Sequence, residues 1–371
     1  MRTRTLVRWS ALLVMGATLS LTACKKKAEP APEDQGAAAI DIDGLRTRAG
    51  VFLKPIEPVT GLSPERVALG ERLYHDPNLS VDGTVSCASC HVITEGGDDG
   101  LPVSPGVGGL LGGVNSPTTL NSHLNFAQFW DGRAETLEEQ AAGPIMNPVE
   151  MANTFENVIG YLESEESYVE GFSAAFEDGA INQDTITSAL ADYERTLTTL
   201  NGPFDRWLRG ENDAMNEQEL RGLESFMTVG CTSCHQGAGI GGTMYQRMGN
   251  VNDYFGSLAR SLDANDYGRF NVTGNEADRH RFKVPILRNV VDTGPYMHDG
   301  KIEDLGEVVH IMAYHQLGRT LEQSEIDDIV AFMGTLGGEQ PTVDIASLNL
   351  PEPRSFRPEA GEAEGDAEAA E

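Results

Sequence analysis

Two short stretches 144 residues apart constrain this chain more than anything else in it: Cys87-Ala88-Ser89-Cys90-His91 and Cys231-Thr232-Ser233-Cys234-His235. Two thiols separated by two residues and followed at once by an imidazole can close thioether bonds to haem vinyl groups and ligate the iron. A zinc site would need further Cys or His at finger-like spacing, and none lies near either copy. The repeat reads as two c-type haem sites, and 371 residues suffice for two domains with a core each.

Five cysteines are present, four belong to these motifs, and the fifth is Cys24, so no thiols remain for a disulfide framework. Arg2, Arg4 and Arg8 precede an apolar run from Ala11 to Leu21, and Leu21-Thr22-Ala23-Cys24 has the small-residue character of an export cleavage site. The run is too short for a lasting membrane span. It resembles a bacterial lipoprotein signal over residues 1–23, with Cys24 left to carry a lipid; the plainer reading is a secretory signal in which Cys24 is incidental. Both readings predict export, and covalent haem attachment fits the periplasm. Lys25 after the cysteine points to the outer membrane by analogy with lipoprotein sorting.

The net charge of −30 makes nucleic acid and anionic lipid headgroups poor partners, since both would be repelled before contact. It favours a partner with a basic face, such as a small electron carrier, although solubility alone also accounts for it.

Residues 24–50, rich in Ala, Pro and charge, read as a flexible tether, with order beginning near Val51. Ser63-Pro64-Glu65 opens a helix running to about Tyr74. After His91 a long Gly- and Pro-rich stretch excludes regular structure, and a loop of this length is usually functional. A short helix from Glu135 to Ala142 is expected to stop at Gly143-Pro144, and three more are expected near Phe155 to Leu162, Tyr168 to Phe176 and Thr185 to Leu200. Asn201-Gly202-Pro203 divides a first haem domain (51–200) from a second (201–345). Asn216-Glu217-Gln218-Glu219 resembles a capping box ahead of the second motif. Gly237 to Arg281 reads as irregular, helices close the fold near Ile302 to Leu317 and Ser324 to Leu336, and 346–371 reads as a disordered acidic tail. Strand signals are sparse. The expected fold is mainly α, with two cytochrome c-like haem domains packed around an interface.

Each haem needs a second axial partner or an open face, which decides between electron transfer and catalysis. In the second half the candidates are His298, His310, Met312 and His315, and a methionine on an apolar helix face is more often core than ligand. In the first half Glu150 lies in an irregular segment. It is either an exposed glutamate before a helix or a carboxylate able to take a proton from peroxide and return it to the leaving oxygen. Trp130 reads as a core aromatic or as an electron stepping point between haems.

From about Gly61 to Gly338 the sequence resembles the bacterial di-haem cytochrome c peroxidase family. The resemblance rests on stretches in family order: Leu69-Gly70-Glu71-Arg72-Leu73-Tyr74, both haem motifs, Asn125 through Arg133, Glu139-Gln140, Gly143-Pro144 and Val149-Glu150-Met151. Phe204-Asp205, Phe282-Lys283-Val284-Pro285, Leu287-Arg288-Asn289-Val290, Pro295 through Gly300 and Ile329-Val330-Ala331-Phe332 follow. It implies two haem c groups with calcium between two cytochrome c-like domains. Glu150 matches the acid/base on the distal side of the first haem, with Gln140 and Pro144 near it, and Trp130 matches the tryptophan between the haems. Met312 matches the distal ligand of the second haem, which overrides the core reading, and His298 matches a histidine at the interface. Asn115 and the carbonyls of Thr293 and Pro295 match the calcium ligands, oxygen donors suited to a hard cation.

One position departs. Many members carry a histidine in the glycine-rich loop that blocks the first haem until the second is reduced, and here that position is Val107, which cannot ligate iron. The expected activity is reduction of hydrogen peroxide to water with electrons from a small periplasmic c-type cytochrome or cupredoxin. The alternative is peroxide-dependent oxidation of a partner protein or organic substrate, as in the methylamine-utilisation branch, which also lacks that histidine but uses tyrosine where Met312 stands. A non-catalytic di-haem carrier is the third reading, and a homodimer is a possible assembly.

Overall fold

The computed structural model describes residues 40–353. The leader, the lipid-anchor expectation at Cys24 and the tail beyond Pro353 lie outside the described residues. Chain order gives α1 (Ile42–Phe52), α2 (Pro64–His75), α3 (Cys87–Cys90), α4 (Leu137–Met146), α5 (Phe155–Ser164), α6 (Glu166–Ala175) and α7 (Gln183–Thr196). These are followed by α8 (Pro203–Leu208), α9 (Glu217–Val229), α10 (Phe270–Thr273), α11 (Leu305–Leu317) and α12 (Gln323–Gly334). The strands β1 (Tyr245–Arg247) and β2 (Arg281–Lys283) pair antiparallel, with Gln246 opposite Phe282. The fold is mainly α, as expected.

The helix before each haem motif starts and stops where local chemistry requires. Ser63 caps α2, its hydroxyl accepting from the Arg66 N–H, with Pro64 in the first turn. Asn216 and Glu219 form a reciprocal box at the start of α9. At the other end of α9, Gly230 takes a left-handed conformation (φ 112°) that stops the helix one residue before Cys231. Both helices also carry a glycine at a crossing: a methyl on Gly70 would collide with the Ala189 carbonyl of α7, and one on Gly222 with the Asp328 carbonyl of α12. The two halves thus repeat a close-packed helix pair as well as a motif.

Each pair anchors an apolar core. One draws on Leu69, Leu73, Tyr168, Phe172, Ile186 and Leu190, the other on Phe204, Trp207, Leu223, Phe226, Ile329 and Phe332. A smaller cluster around Met248, Phe255, Phe282 and Met297 takes in Trp130 and Met312.

Three expectations are corrected. Residues 42–50 are not tether: Asp41 caps α1, and Leu45 and Ala49, one turn apart, are fully buried with Leu53 in the second core. Burying each leucine contributes about 1.5–3 kcal/mol, enough to order a short helix whose propensity alone is weak. The chain leaving α1 then pairs with the second motif's loop, Gly237 N–H donating to the Phe52 carbonyl at 2.8 Å. Secondly, α4 runs through Gly143-Pro144 to Met146. Proline here forgoes one carbonyl partner near the end of the helix, and Asn147 N–H closes on the Gly143 and Pro144 carbonyls. Thirdly, the start of the expected acidic tail is ordered, with Leu348 buried and the Glu352 carbonyl accepting from Asn78. No helix among the described residues is long and apolar enough to cross a membrane.

Candidate active site

The first haem motif is fixed from two sides. Ser86 N–H donates to the Ser89 hydroxyl at 3.0 Å, closing the single turn that carries Cys87 and Cys90. From α2, the Tyr74 hydroxyl donates to the His91 carbonyl at 3.1 Å. Burial pushes the Cys87 and Cys90 thiols above their usual range, with Glu194 adding to the effect at Cys87 and Ser104 opposing it at Cys90. Burial also lowers the His91 pKa, keeping the imidazole in the neutral form that binds metal. Its Nδ1 is buried without a hydrogen-bond partner.

Glu150 follows α4 and is half-buried. Asn147 Nδ2 donates to Glu150 Oε1 at 2.6 Å, and the Val107 N–H donates to the Glu150 carbonyl at 2.8 Å. The glycine-rich loop therefore packs directly on the acid, and Gly106 is required there, because a methyl would meet the Val149 and Glu150 backbone. Burial raises the Glu150 pKa, with Asn147 and Arg133 opposing. The Val107 side chain is buried in the same core as Ile145 and Met151, with Cys87 packed against that core. Gln140 is half-buried on α4 one turn ahead of Pro144, with no hydrogen bond to Glu150 among the described residues.

The second site is an apolar cavity lined by Cys231, Cys234, His235 and Met312 together. Of the four candidate distal ligands, His310 is exposed and His315 Nδ1 is engaged by the Asn252 carbonyl at 2.9 Å. His298 reaches the cavity but its Nε2 pairs with Asp266 Oδ1 at 2.9 Å. Met312 has no such engagement. Burial lowers the His235 pKa to about 4 and raises the Cys231 thiol to about 12. The Ile240 carbonyl, 3.2 Å from Nδ1, fixes the ring and leaves Nε2 as the nitrogen able to ligate a metal.

Between the sites the chain cross-links itself. Trp130 Nε1 donates to the Asn115 carbonyl at 2.9 Å, and Asn115 N–H donates to the His298 carbonyl at 2.9 Å. Asn115, Thr293 and Pro295 line the second cavity. Asn115 Nδ2 donates to the Leu101 carbonyl, which fixes the amide and leaves Oδ1 as an acceptor.

Some of the site was not singled out from the sequence. Asp98 is 2% exposed, lines the same cavity and has a buried Oδ1 without a partner; burial raises its pKa to about 7. Its only sequence signal is an acid pair following Gly96-Gly97. Asp266, which pairs with both His298 and Arg260, carried no signal, because His298 lies 32 residues on and Arg260 sits in an irregular segment with no periodicity to orient it. Lys283, one residue of the Phe282-Lys283-Val284-Pro285 stretch, is buried on the cavity wall. Among the described residues no three Asp, Glu, His or Cys side chains converge on one metal position.

Residues 64–213 match the family model for di-haem cytochrome c peroxidase. The cytochrome c551 peroxidase of Nitrosomonas europaea is 42% identical over 325 residues, 85% of this chain and 96% of that protein. The chain belongs to the di-haem cytochrome c peroxidase family. The methylamine utilization protein MauG of Methylorubrum extorquens is 33% identical over 361 residues, covering 92% of this chain and 97% of its own. A crystal structure of a MauG-like protein associated with microbial copper homeostasis aligns with a TM-score of 0.67 at 26% identity, covering 83% of this chain and 97% of that one. As a member of this di-haem family the chain takes two haem c groups, and its residues fit them: two pairs of unbonded cysteines, two half-buried imidazoles, and a thioether on one cavity.

Proposed function

We propose that this member of the di-haem cytochrome c peroxidase family reduces hydrogen peroxide to two waters in the periplasm, drawing two electrons from a small c-type cytochrome or cupredoxin. The observation that carries the reading is Glu150: a half-buried carboxyl with a raised pKa, held by Asn147 beside the His91 motif. Cys87, Cys90 and His91 would hold the first haem, and Cys231, Cys234, His235 and Met312 the second. Bound haem supplies the iron that takes the peroxide oxygen and the centre that takes external electrons.

The chain's own residues do the proton work. Asn147 occupies Oε1, so Oε2 is free to accept the proton of the near peroxide oxygen and return it to the far one, which leaves as water. Gln140 and Pro144 lie on the helix leading into Glu150, and Gly106 allows the loop to close on it. Val107, where many members carry the blocking histidine, cannot ligate iron, which supports a first site open to peroxide without prior reduction. Trp130, anchored on Asn115, lies with Met312 in one cluster and suits electron passage between the centres. Calcium at Asn115 and the Thr293 and Pro295 carbonyls would stiffen that junction, and a lipid on Cys24 would hold the enzyme at the outer membrane.

Val107 also suits peroxide-dependent oxidation of a partner protein, whereas a thioether at Met312 suits a relay for external electrons. The test is anaerobic turnover of the purified di-haem protein with peroxide and a pre-reduced cytochrome or cupredoxin. Two donors oxidised per peroxide is the expected result. Peroxide consumption with no oxidation of any such donor would overturn the reading.

A further inference from the structure

Lys283 ends β2, and its backbone N–H donates to the Trp130 carbonyl at 2.8 Å. The side chain is 6% exposed and lines the cavity that also carries Cys234, His235 and Met312. Among the described residues its Nζ has one partner, Asn125 Oδ1 at 3.1 Å, an uncharged amide. Asn125 is itself held: a methyl on Gly242 would meet its Oδ1, and the next residue, Phe126, donates its N–H to the Gly242 carbonyl.

A buried ammonium with one neutral acceptor is an incomplete arrangement. Leaving a charge unpaired out of water costs several kcal/mol, so buried lysines are matched to an anion or lose their proton. Burial alone, with no carboxylate opposing it, lowers the Lys283 pKa to about 8. The cavity wall is mostly apolar, Asp98, the one carboxylate on it among the described residues, does not act on the lysine, and methionine would fill the space at no desolvation cost.

We infer that Lys283 is the counter-ion of a propionate of the second haem, and that through this pairing it raises that haem's reduction potential. Each haem brings two carboxylates, and a lysine ammonium meets a carboxylate in a charge-assisted hydrogen bond. A fixed positive charge near the iron favours the ferrous over the ferric state, so the centre that receives electrons is held high. Its attachment to Trp130 places the same residue at the exit from that centre. The inference rests on a haem c held by Cys231, Cys234 and His235.

The experiment is spectroelectrochemical titration of the purified holoprotein as wild type, Lys283→Met and Lys283→Arg. Two separate redox waves establish both haems, independently of the lysine; a single wave would overturn the reading on which the inference rests. With two waves, Lys283→Met should lower the potential of the second haem by about 60 mV, a tenfold shift toward ferric, while the first stays in place. Lys283→Arg should restore it, because the charge is kept. Unchanged potentials in Lys283→Met, or an equal fall in both variants, would mean that the lysine only fills space, and would overturn the assignment.

Discussion

Glu150 concentrates the chemistry of the account in one side chain. In its proposed role as base Glu150 must be ionised to take the first proton, and burial raises its folded pKa above the ordinary value. The rate of reaction with peroxide should therefore fall as pH drops, with a midpoint above an ordinary glutamate's of about 4.3. Stopped-flow spectra across pH would show this limb in the wild type. In Glu150→Gln the limb should vanish and the rate fall by about 10²–10⁴, with both haems still attached. Met312 shows what a single residue does and does not reveal in sequence. A helix bearing His310, Met312 and His315 offers three ligands with no ground for choice, and the choice lies in which of them faces the cavity of Cys231 and His235.

At the scale of elements, the parts that hold the site were largely legible. Hydroxyl or amide caps, first-turn proline and helical apolar spacing marked α2, α5, α7, α9 and α12, since those signals act within a few residues. What escaped was decided by remote contacts. Leu45 and Ala49 make too small a stripe to announce α1, which owes its order to Phe204 and Trp207 in the second core. Leu45→Ala should accordingly cost about 2–5 kcal/mol and lower the melting temperature of the second core, measured by calorimetry of the holoprotein. The glycine crossings give a second check. Gly222→Ala must push α9 from α12 and should destabilise by about 1–3 kcal/mol, whereas Gly160→Ala, with open space around it, should not. Asp98, Asp266 and Lys283 escaped for the same reason as α1, since each is defined by partners or a cavity built from distant segments.

For the whole molecule, charge and the junction between the haem sites set the expectations. A balance of −30 steers a basic donor toward the enzyme. Raising ionic strength from about 0.01 M to 0.15 M shortens the screening length from about 30 Å to 8 Å and should reduce kcat/KM for such a donor several-fold, with little change in kcat. A donor whose kcat/KM is insensitive to salt would contradict electrostatic docking. The halves meet through Asn115, Trp130 and His298, so the state of the first iron decides whether the molecule works as a peroxidase at rest or needs a reductive trigger. Electron paramagnetic resonance of the fully oxidised holoprotein, before and after adding peroxide without any reductant, tests this most directly. With Val107 buried and unable to ligate, a high-spin ferric signal that peroxide abolishes is expected. Two low-spin signals unmoved by peroxide would contradict it.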